Sequence, residues 1–342
     1  LVCGEHCSAH SEVDAFYAAG PGSKVDVGNT CTATGSAGFS AAGGAVMVVG
    51  AGCEAAACST GYQARGASTK MQLDDGCAAT SCKLGVMALR GAHIEATALF
   101  RVEGEASSVD ASTPVCAGIQ AGPGAGSRVT LGSGCHVERC DTAYCATGAG
   151  ALLTVGPCSK AVACVDGCCV LGGAAAAIGE GATAEACSGS GFMVTDPGSR
   201  LTLGPRCTAK ECDTGVLVFG GAHAVAGAGC AMLGCSDAGF RAVGLGLTDQ
   251  GQGRQGTQLT LAAGCRVTAF GDTRTNVGFA AEAGARMTLG AGCKAVDCKS
   301  GGFQSRGANS RLVTGPSCGC AGTAGNGGRG FAAHGGGMLV AG

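Results

Sequence analysis

Large rings and charges are scarce in this chain of 342 residues: it has no tryptophan, 4% aromatic residues and 13% charged residues. A core built without them is thin, which does not fit an ordinary globular domain of this length. No run approaches the roughly 18 apolar residues that a membrane-spanning helix requires, so no transmembrane segment is expected. Lysines and arginines number 22 against 24 acids, giving a formal net charge of -2. Being scattered along the sequence, they show no basic stripe that would neutralise a phosphate backbone, and nucleic acid is not expected as a partner. Leu1 does not open a signal peptide, so the chain is expected either to have lost one before this numbering begins or to be a fragment.

What is abundant is glycine, 66 residues, and cysteine, 25 residues. So many thiols are hard to keep inert in a reducing compartment without metal, whereas an oxidising one turns them into crosslinks. A secreted, extracellular protein is therefore expected. The odd count leaves at least one cysteine without an intramolecular disulfide partner.

The cysteines recur in phase. Cys31, Cys53, Cys77, Cys135, Cys158, Cys207, Cys230, Cys265, Cys293 and Cys318 mark a unit near 24 residues, with two longer gaps that each hold a copy lacking the cysteine. The units share a grammar, as in GSRVTLGSGCHVERC, GSRLTLGPRCTAKEC and GARMTLGAGCKAVDC. A small or polar turn leads into a short alternating strand, a glycine corner, the first cysteine, a second short strand, a second cysteine and another turn. A Gly-aromatic pair follows: Gly38-Phe39, Gly61-Tyr62, Gly191-Phe192, Gly239-Phe240, Gly278-Phe279, Gly302-Phe303 and Gly330-Phe331. Strands of three to five residues alternating with period two, between glycine turns, are β-structure. A register of 24 residues is the mark of a solenoid, in which equivalent residues stack from turn to turn.

This grammar resembles the right-handed parallel β-helix of the pectin-lyase-like superfamily, over nearly the whole chain. Within it the chain is similar to the Gly/Ala/Cys-rich repeats of green-algal secreted proteins. The resemblance implies an all-β, right-handed, single-stranded parallel β-helix of roughly 13 coils. Residues 1–342 are expected to form one solenoid with a loop inserted at 245–257. The strand Gly335 to Gly342 matches the phase just before Cys3, so the chain reads as a window on a longer solenoid or as a unit stacking end to end.

The CX4C pairs are the main candidate site: Cys53/Cys58, Cys77/Cys82, Cys135/Cys140, Cys207/Cys212, Cys230/Cys235 and Cys293/Cys298, with Cys158/Cys164 one residue wider. Local disulfides that staple a corner are the favoured reading, since the two members tend to occur together. They require the chain to bend sharply between them, because an extended strand could not bring the two Cα atoms into range. Reduced thiols packed as small core residues, and metal thiolates, are the alternatives. Cys145 and Cys169, one coil apart, are the candidates for a bond between coils, with Cys168 spare beside them. Cys187 and Cys265 lack an in-phase partner, and Cys116 reads as a displaced second cysteine.

Other candidates are weaker. Cys3, His6, Cys7 and His10 have zinc-ligand chemistry, against a bland reading as a terminal disulfide with two solvated histidines. Asn29-Thr30-Cys31 is the cysteine variant of a glycosylation acceptor, with Asn29 as the residue of attachment. Gly251 to Gly256 and Gly315 to Gly319 match nucleotide-loop and nucleophile-elbow strings without the helix either needs. His136, Glu138, Arg139 and Asp141, with Lys210, Glu211 and Asp213, are the best material for polysaccharide chemistry, and read more simply as solvated turn charges. Thr130, Thr202, Thr260 and Thr288 share an outward strand position, but Asp26, Met47 and Gln72 interrupt the column an ice-binding face would need.

The expected function is structural and non-enzymatic: a disulfide-stabilised rod in a fibre, cell wall, matrix or surface appendage. Its partners would be copies of itself or a fibre subunit, with polysaccharide or glycans as further contacts, and no cofactor is called for. The runner-up is a carbohydrate-binding or carbohydrate-cleaving β-helix. A third reading is an adhesion subunit that docks another protein on a flat strand face.

Overall fold

The computed structural model describes residues 1–104, 117–245, 256–269, 276–322 and 329–342. Among these the regular structure is all strand, so no helix is present that is long and apolar enough to cross a membrane. The fold is a parallel β-solenoid of about 13 turns of roughly 24 residues. It divides into two compact units, Leu1–Val165 with Ala174–Ala176, and Asp166–Gly173 with Ala177–Gly342. Both are wound from the same kind of turn. Most of the loop expected at 245–257 lies outside the described residues.

One turn shows why this composition winds as it does. Val46–Val49 is a four-residue strand that buries Met47 and Val49 and turns Val46 and Val48 outward. Gly52, at φ 67°, makes the first corner, and Cys53 points into the core. Glu54–Ala56 is a three-residue strand with only Ala55 inside. Ala57, at φ 52°, makes the second corner just before Cys58, and the six-residue strand Thr60–Arg65 follows. Apolar side chains inside are small because three strands close around them.

Successive turns pair in parallel and in register. In the first unit Lys24–Val27 pairs with Val46–Val49, then Lys70–Leu73, His93–Ala96, Arg128–Leu131 and Leu152–Val155 in order. In the second, Arg200–Leu203 leads through His223–Ala226, Gln258–Leu261, Arg286–Leu289 and Arg311–Thr314 to Met338–Ala341. Each residue therefore sits on its counterpart, at the roughly 4.8 Å spacing of hydrogen-bonded strands.

The Gly-aromatic pairs follow from that spacing. Phe16, Phe39 and Tyr62 stack with ring centroids 5.0 and 4.9 Å apart. In the second unit Phe240, Phe279, Phe303 and Phe331 stack at 5.3, 4.8 and 4.7 Å, with planes within 7° of parallel. Phe192 joins no ring stack, because its in-register neighbours are Cys168 and Val216. The preceding glycine is a packing requirement: a Cβ on Gly278 would lie 2.5 Å from the Gly302 carbonyl oxygen and 2.8 Å from the Ala295 methyl. The three-residue and six-residue strands meet too closely there for any side chain.

A further column went unread in the sequence. The buried hydroxyls of Thr69, Ser127, Ser199, Thr257 and Ser310 each accept the backbone N–H of a tight glycine corner one turn earlier, at Gly44, Gly91, Gly173, Gly221 and Gly284. The corner served carries alanine at the hydroxyl's own position: Ala45, Ala92, Ala174, Ala222 and Ala285. Hydroxyl and methyl thus answer each other across turns, and partly buried corner amides find acceptors within the protein.

Because Phe279 is fully buried between two stacked rings, Phe279→Ala should cost about 3–5 kcal/mol of unfolding free energy. Phe331, still 42% exposed, should cost clearly less when truncated. Urea unfolding of the two variants checks the difference.

Candidate functional site

Two cysteine columns run inside the solenoid, and each has its own job. The first cysteine of a pair follows the glycine corner, and its thiol donates to the carbonyl of the glycine closing the four-residue strand one turn earlier. Cys53 donates to Gly28 O at 3.1 Å, Cys77 to Gly50 O at 3.3 Å, Cys207 to Gly179 O at 3.2 Å and Cys230 to Gly204 O at 3.4 Å. The second cysteine follows a residue held in the left-handed region: Ala57, Ser81, Arg139, Ala163, Ala186, Glu211 or Asp297. Its thiol donates to the carbonyl two residues back, as in Cys58 to Ala56 O, Cys82 to Thr80 O and Cys212 to Lys210 O, at 3.4 to 3.5 Å. A weak S–H donor on a small apolar side chain thus serves a buried corner carbonyl where a hydroxyl would be costlier to desolvate.

This geometry corrects the expectation of staples within each pair. Between Cys53 and Cys58 lies the extended strand Glu54–Ala56, and between Cys207 and Cys212 lies Thr208–Lys210. Three extended residues alone carry the chain roughly 10 Å, past the upper limit of about 7 Å between disulfide-bonded Cα atoms. Cys140 shows the correction clearly. It forms no disulfide with Cys135, because the strand His136–Glu138 separates the two and Arg139 turns the chain at φ 56°. The Cys140 thiol instead donates to the Glu138 carbonyl at 3.5 Å, while that of Cys135 donates to Gly132 O at 3.4 Å. Cys77 and Cys82, Cys230 and Cys235, and Cys293 and Cys298 are likewise not bonded to each other, each pair having a strand between its members. Among the described residues every cysteine is a free thiol, and no two sulfurs stand at bonding distance although many lie near each other. What the register does bring together is like with like. Cys31 lies against Cys53 and Cys53 against Cys77, and the backbone N–H of Cys31 donates to the Cys53 sulfur at 3.3 Å.

Several individual placements differ from the sequence reading. Cys158 is not a column member: it is exposed at φ 57°, and Ser159 occupies the column position above Cys135. The wider spacing of Cys158 and Cys164 records that one-residue shift, and Cys164 donates to Val162 O at 3.4 Å as a second-column member does. Cys187 does have an in-phase counterpart, since the pairing of Glu185 with Lys210 sets it in register with Cys212 one turn on. Cys265 likewise lies between Cys230 and Cys293. Cys145 and Cys169 do keep one phase, each being the fourth residue of a six-residue strand, Thr142–Thr147 and Asp166–Leu171; within its own unit the first pairs in register with Gln120 and the second with Met193. Cys116 lies outside the described residues, as does most of Gly251 to Gly256. Ser317, within the Gly315 to Gly319 string, is a left-handed corner residue with no helix after it.

At the start of the chain the histidines turn away from a shared centre. His6 Nδ1 meets Thr30 Oγ1 at 2.6 Å and His10 Nδ1 meets Thr34 Oγ1 at 2.8 Å, while the Cys7 thiol donates to Glu5 O at 3.8 Å. Among the described residues no three His, Cys, Asp or Glu side chains converge as a metal site would need. Asn29 is engaged at both ends, donating to Glu5 Oε1 at 3.1 Å and accepting from the Ala51 N–H at 3.0 Å.

The charged residues form three clusters. In the first unit Arg101 bridges Glu138 at 2.8 Å and Glu103 at 3.2 Å, Arg139 pairs with Glu103, and His136 approaches Glu138 at 3.3 Å. The Arg101 hydrogen bond holds the Glu138 carboxyl below the ordinary carboxylate range, which suits an anion and not a proton donor. In the second unit Lys210 pairs with Glu185 at 2.6 Å and Asp213 accepts from Ser236 at 2.6 Å. The third cluster was missed: Arg241 holds Asp237 at 2.5 Å and Glu282 at 2.8 Å beside a surface cavity that Asn276, Ser300 and Arg306 also line. Asp237 and Arg241 share one turn, and Glu282 lies two positions past Ala280, the in-register neighbour of Arg241 on the next turn, so setting successive turns side by side is the signal that could have revealed it.

The register also assembles what the sequence scatters. Lys70, His93 and Arg128 lie side by side on the first position of the four-residue strands, as do Arg200 with His223 and Arg286 with Arg311 in the second unit. Burial lowers the pKa of both His93 and His223, and neither Nε2 atom has a hydrogen-bond partner. Two basic rows therefore exist that no linear reading displays. Two positions along, Thr130 neighbours Thr154 and Thr260 neighbours Thr288. The residue interrupting that column near its start is Val48 and not Met47, which is fully buried.

Under reducing conditions the folded protein should take up a maleimide first at Cys158, the exposed thiol. Cys53 should label much later, because it is wholly buried and burial pushes its thiol up to about 12, leaving little thiolate at neutral pH. Time-resolved peptide mapping of the alkylated protein checks this order. No family model matches the chain, and neither does any curated protein.

Proposed function

We propose that the protein is a non-enzymatic structural β-solenoid of an extracellular fibre, wall, matrix or surface appendage, secreted into an oxidising compartment. The observation that supports this most is the use of cysteine itself. Two columns of thiols hold corner carbonyls turn after turn, which is a device for rigidity repeated along the chain and not for one reacting centre. The right-handed winding and the kinship with pectin-lyase-like β-helices belong to this proposal and rest on the repeat grammar. Association would run through the strand faces or through the solenoid's turns, with copies of the chain or a fibre subunit as partner.

A second reading, an acidic-glycan-binding surface, is favoured by the rows of basic side chains around His93 and along Arg286 and Arg311. One experiment separates the two. Sedimentation of the purified chain over a range of concentrations, with negative-stain electron microscopy, should reveal linear or sheet-like assemblies on the structural reading. Parallel incubation with polygalacturonate and with a neutral glucan should leave both polymers uncleaved. A chain that stays monomeric at all concentrations and releases new chain ends from polygalacturonate would overturn the proposal in favour of an enzyme.

A further inference from the structure

The second unit holds an uninterrupted column of first cysteines. Thr208 pairs with Ala231, Ala231 with Arg266, Arg266 with Lys294 and Lys294 with Gly319. The residues just before them are Cys207, Cys230, Cys265, Cys293 and Cys318, five cysteines on five consecutive turns. The column stops at Cys207, because Thr183 pairs with Thr208 and so Ala182 precedes it in register. Each thiol donates to a backbone carbonyl one turn earlier: Cys207 to Gly179 O at 3.2 Å, Cys230 to Gly204 O at 3.4 Å, Cys265 to Gly227 O at 3.5 Å, Cys293 to Ala262 O at 3.6 Å and Cys318 to Gly290 O at 3.3 Å.

We infer that this column is an oxidation site in which disulfides form between neighbouring turns, two bonds at a time among five cysteines, leaving one thiol. In-register parallel strands hold their Cα atoms about 4.8 Å apart, inside the range of about 4.4 to 6.8 Å that a disulfide spans. Side chains in one column point the same way, so the bond draws two turns slightly together without reversing either. Cysteines two turns apart, at roughly 9.6 Å, are out of reach, and so is the second cysteine of the same turn across its extended strand. Each bond gives up two weak S–H hydrogen bonds to glycine carbonyls, a small loss against a covalent tie between turns.

The chemistry balances with an oxidised low-molecular-weight disulfide as electron acceptor. One column thiolate attacks it, releasing one small thiol and forming a mixed disulfide. The neighbouring thiolate then displaces the second small thiol, so that two column thiols lose two protons and two electrons and one acceptor disulfide becomes two thiols. Cys207, Cys230, Cys265 and Cys293 are wholly buried in the finished solenoid and out of reach of the acceptor, which places the step during winding, while the column is still open.

A chain of five sites that can pair only with neighbours has a parity that mutation exposes. Removing Cys207 leaves four contiguous cysteines, which pair completely. Removing Cys230 strands Cys207 and leaves three others, so that two thiols remain where one was. The test refolds the reduced chain in a mixture of reduced and oxidised glutathione. Thiols are then alkylated under denaturing, non-reducing conditions and counted by intact mass. Relative to the unaltered chain, Cys207→Ala should carry one alkyl group fewer and Cys230→Ala one more. Bonds within CX4C pairs would add one group in both variants, and a column that stays reduced would remove one in both. Either pattern, or any other than the first, overturns the inference. Alanine already holds the column position at Ala182, and Cys207→Ser with Cys230→Ser should repeat the two counts if either alanine variant refolds poorly.

Discussion

Parallel register is the constraint on which the rest of the structure depends. Once each strand hydrogen-bonds to its copy a turn away, every residue faces its counterpart at about 4.8 Å. Any interaction tolerable between identical residues then propagates, and any that is not must be broken by substitution. Phenyl rings propagate as flat stacks. Buried hydroxyls alternate with alanine, each serving the amide of the corner before it. Cysteines recur because each thiol donates to a corner carbonyl of a solenoid too narrow for larger polar groups.

The same constraint explains the composition. Three short strands enclosing each turn leave room for alanine, valine and a single aromatic ring, while the glycine before that ring keeps two strands in contact. Left-handed corners filled by Ala57, Arg139 or Glu211 carry local strain that the adjacent thiols of Cys58, Cys140 and Cys212 help to hold. Where the pattern lapses, a neighbour compensates: Ser159 takes a cysteine's place, and Cys158 moves to the surface beside it.

The fold was legible from the recurrence of cysteine, glycine and Gly-Phe at one phase, because that phase is the physical repeat. The partners of the cysteines were not. Spacing along the chain favours the nearest cysteine, as Cys135 for Cys140, whereas the solenoid makes a residue about 24 positions away the true neighbour. The basic row of Lys70, His93 and Arg128 was hidden for the same reason, as was the Asp237, Arg241 and Glu282 cluster. Folding the sequence into rows of one turn before looking for motifs would have displayed all three. The partners of His6 and His10 were hidden in the same way, since each ring turns to a threonine on the next turn.

The central claim is that the register brings each side chain onto its copy one turn away and onto no other. Nuclear Overhauser contacts in a chain carrying labelled phenylalanine test it most directly. Cross-peaks are expected between the rings of Phe240 and Phe279 and between those of Phe279 and Phe303, with none between Phe240 and Phe303. Contact between Phe240 and Phe303, or its absence between Phe279 and both neighbours, would contradict the account.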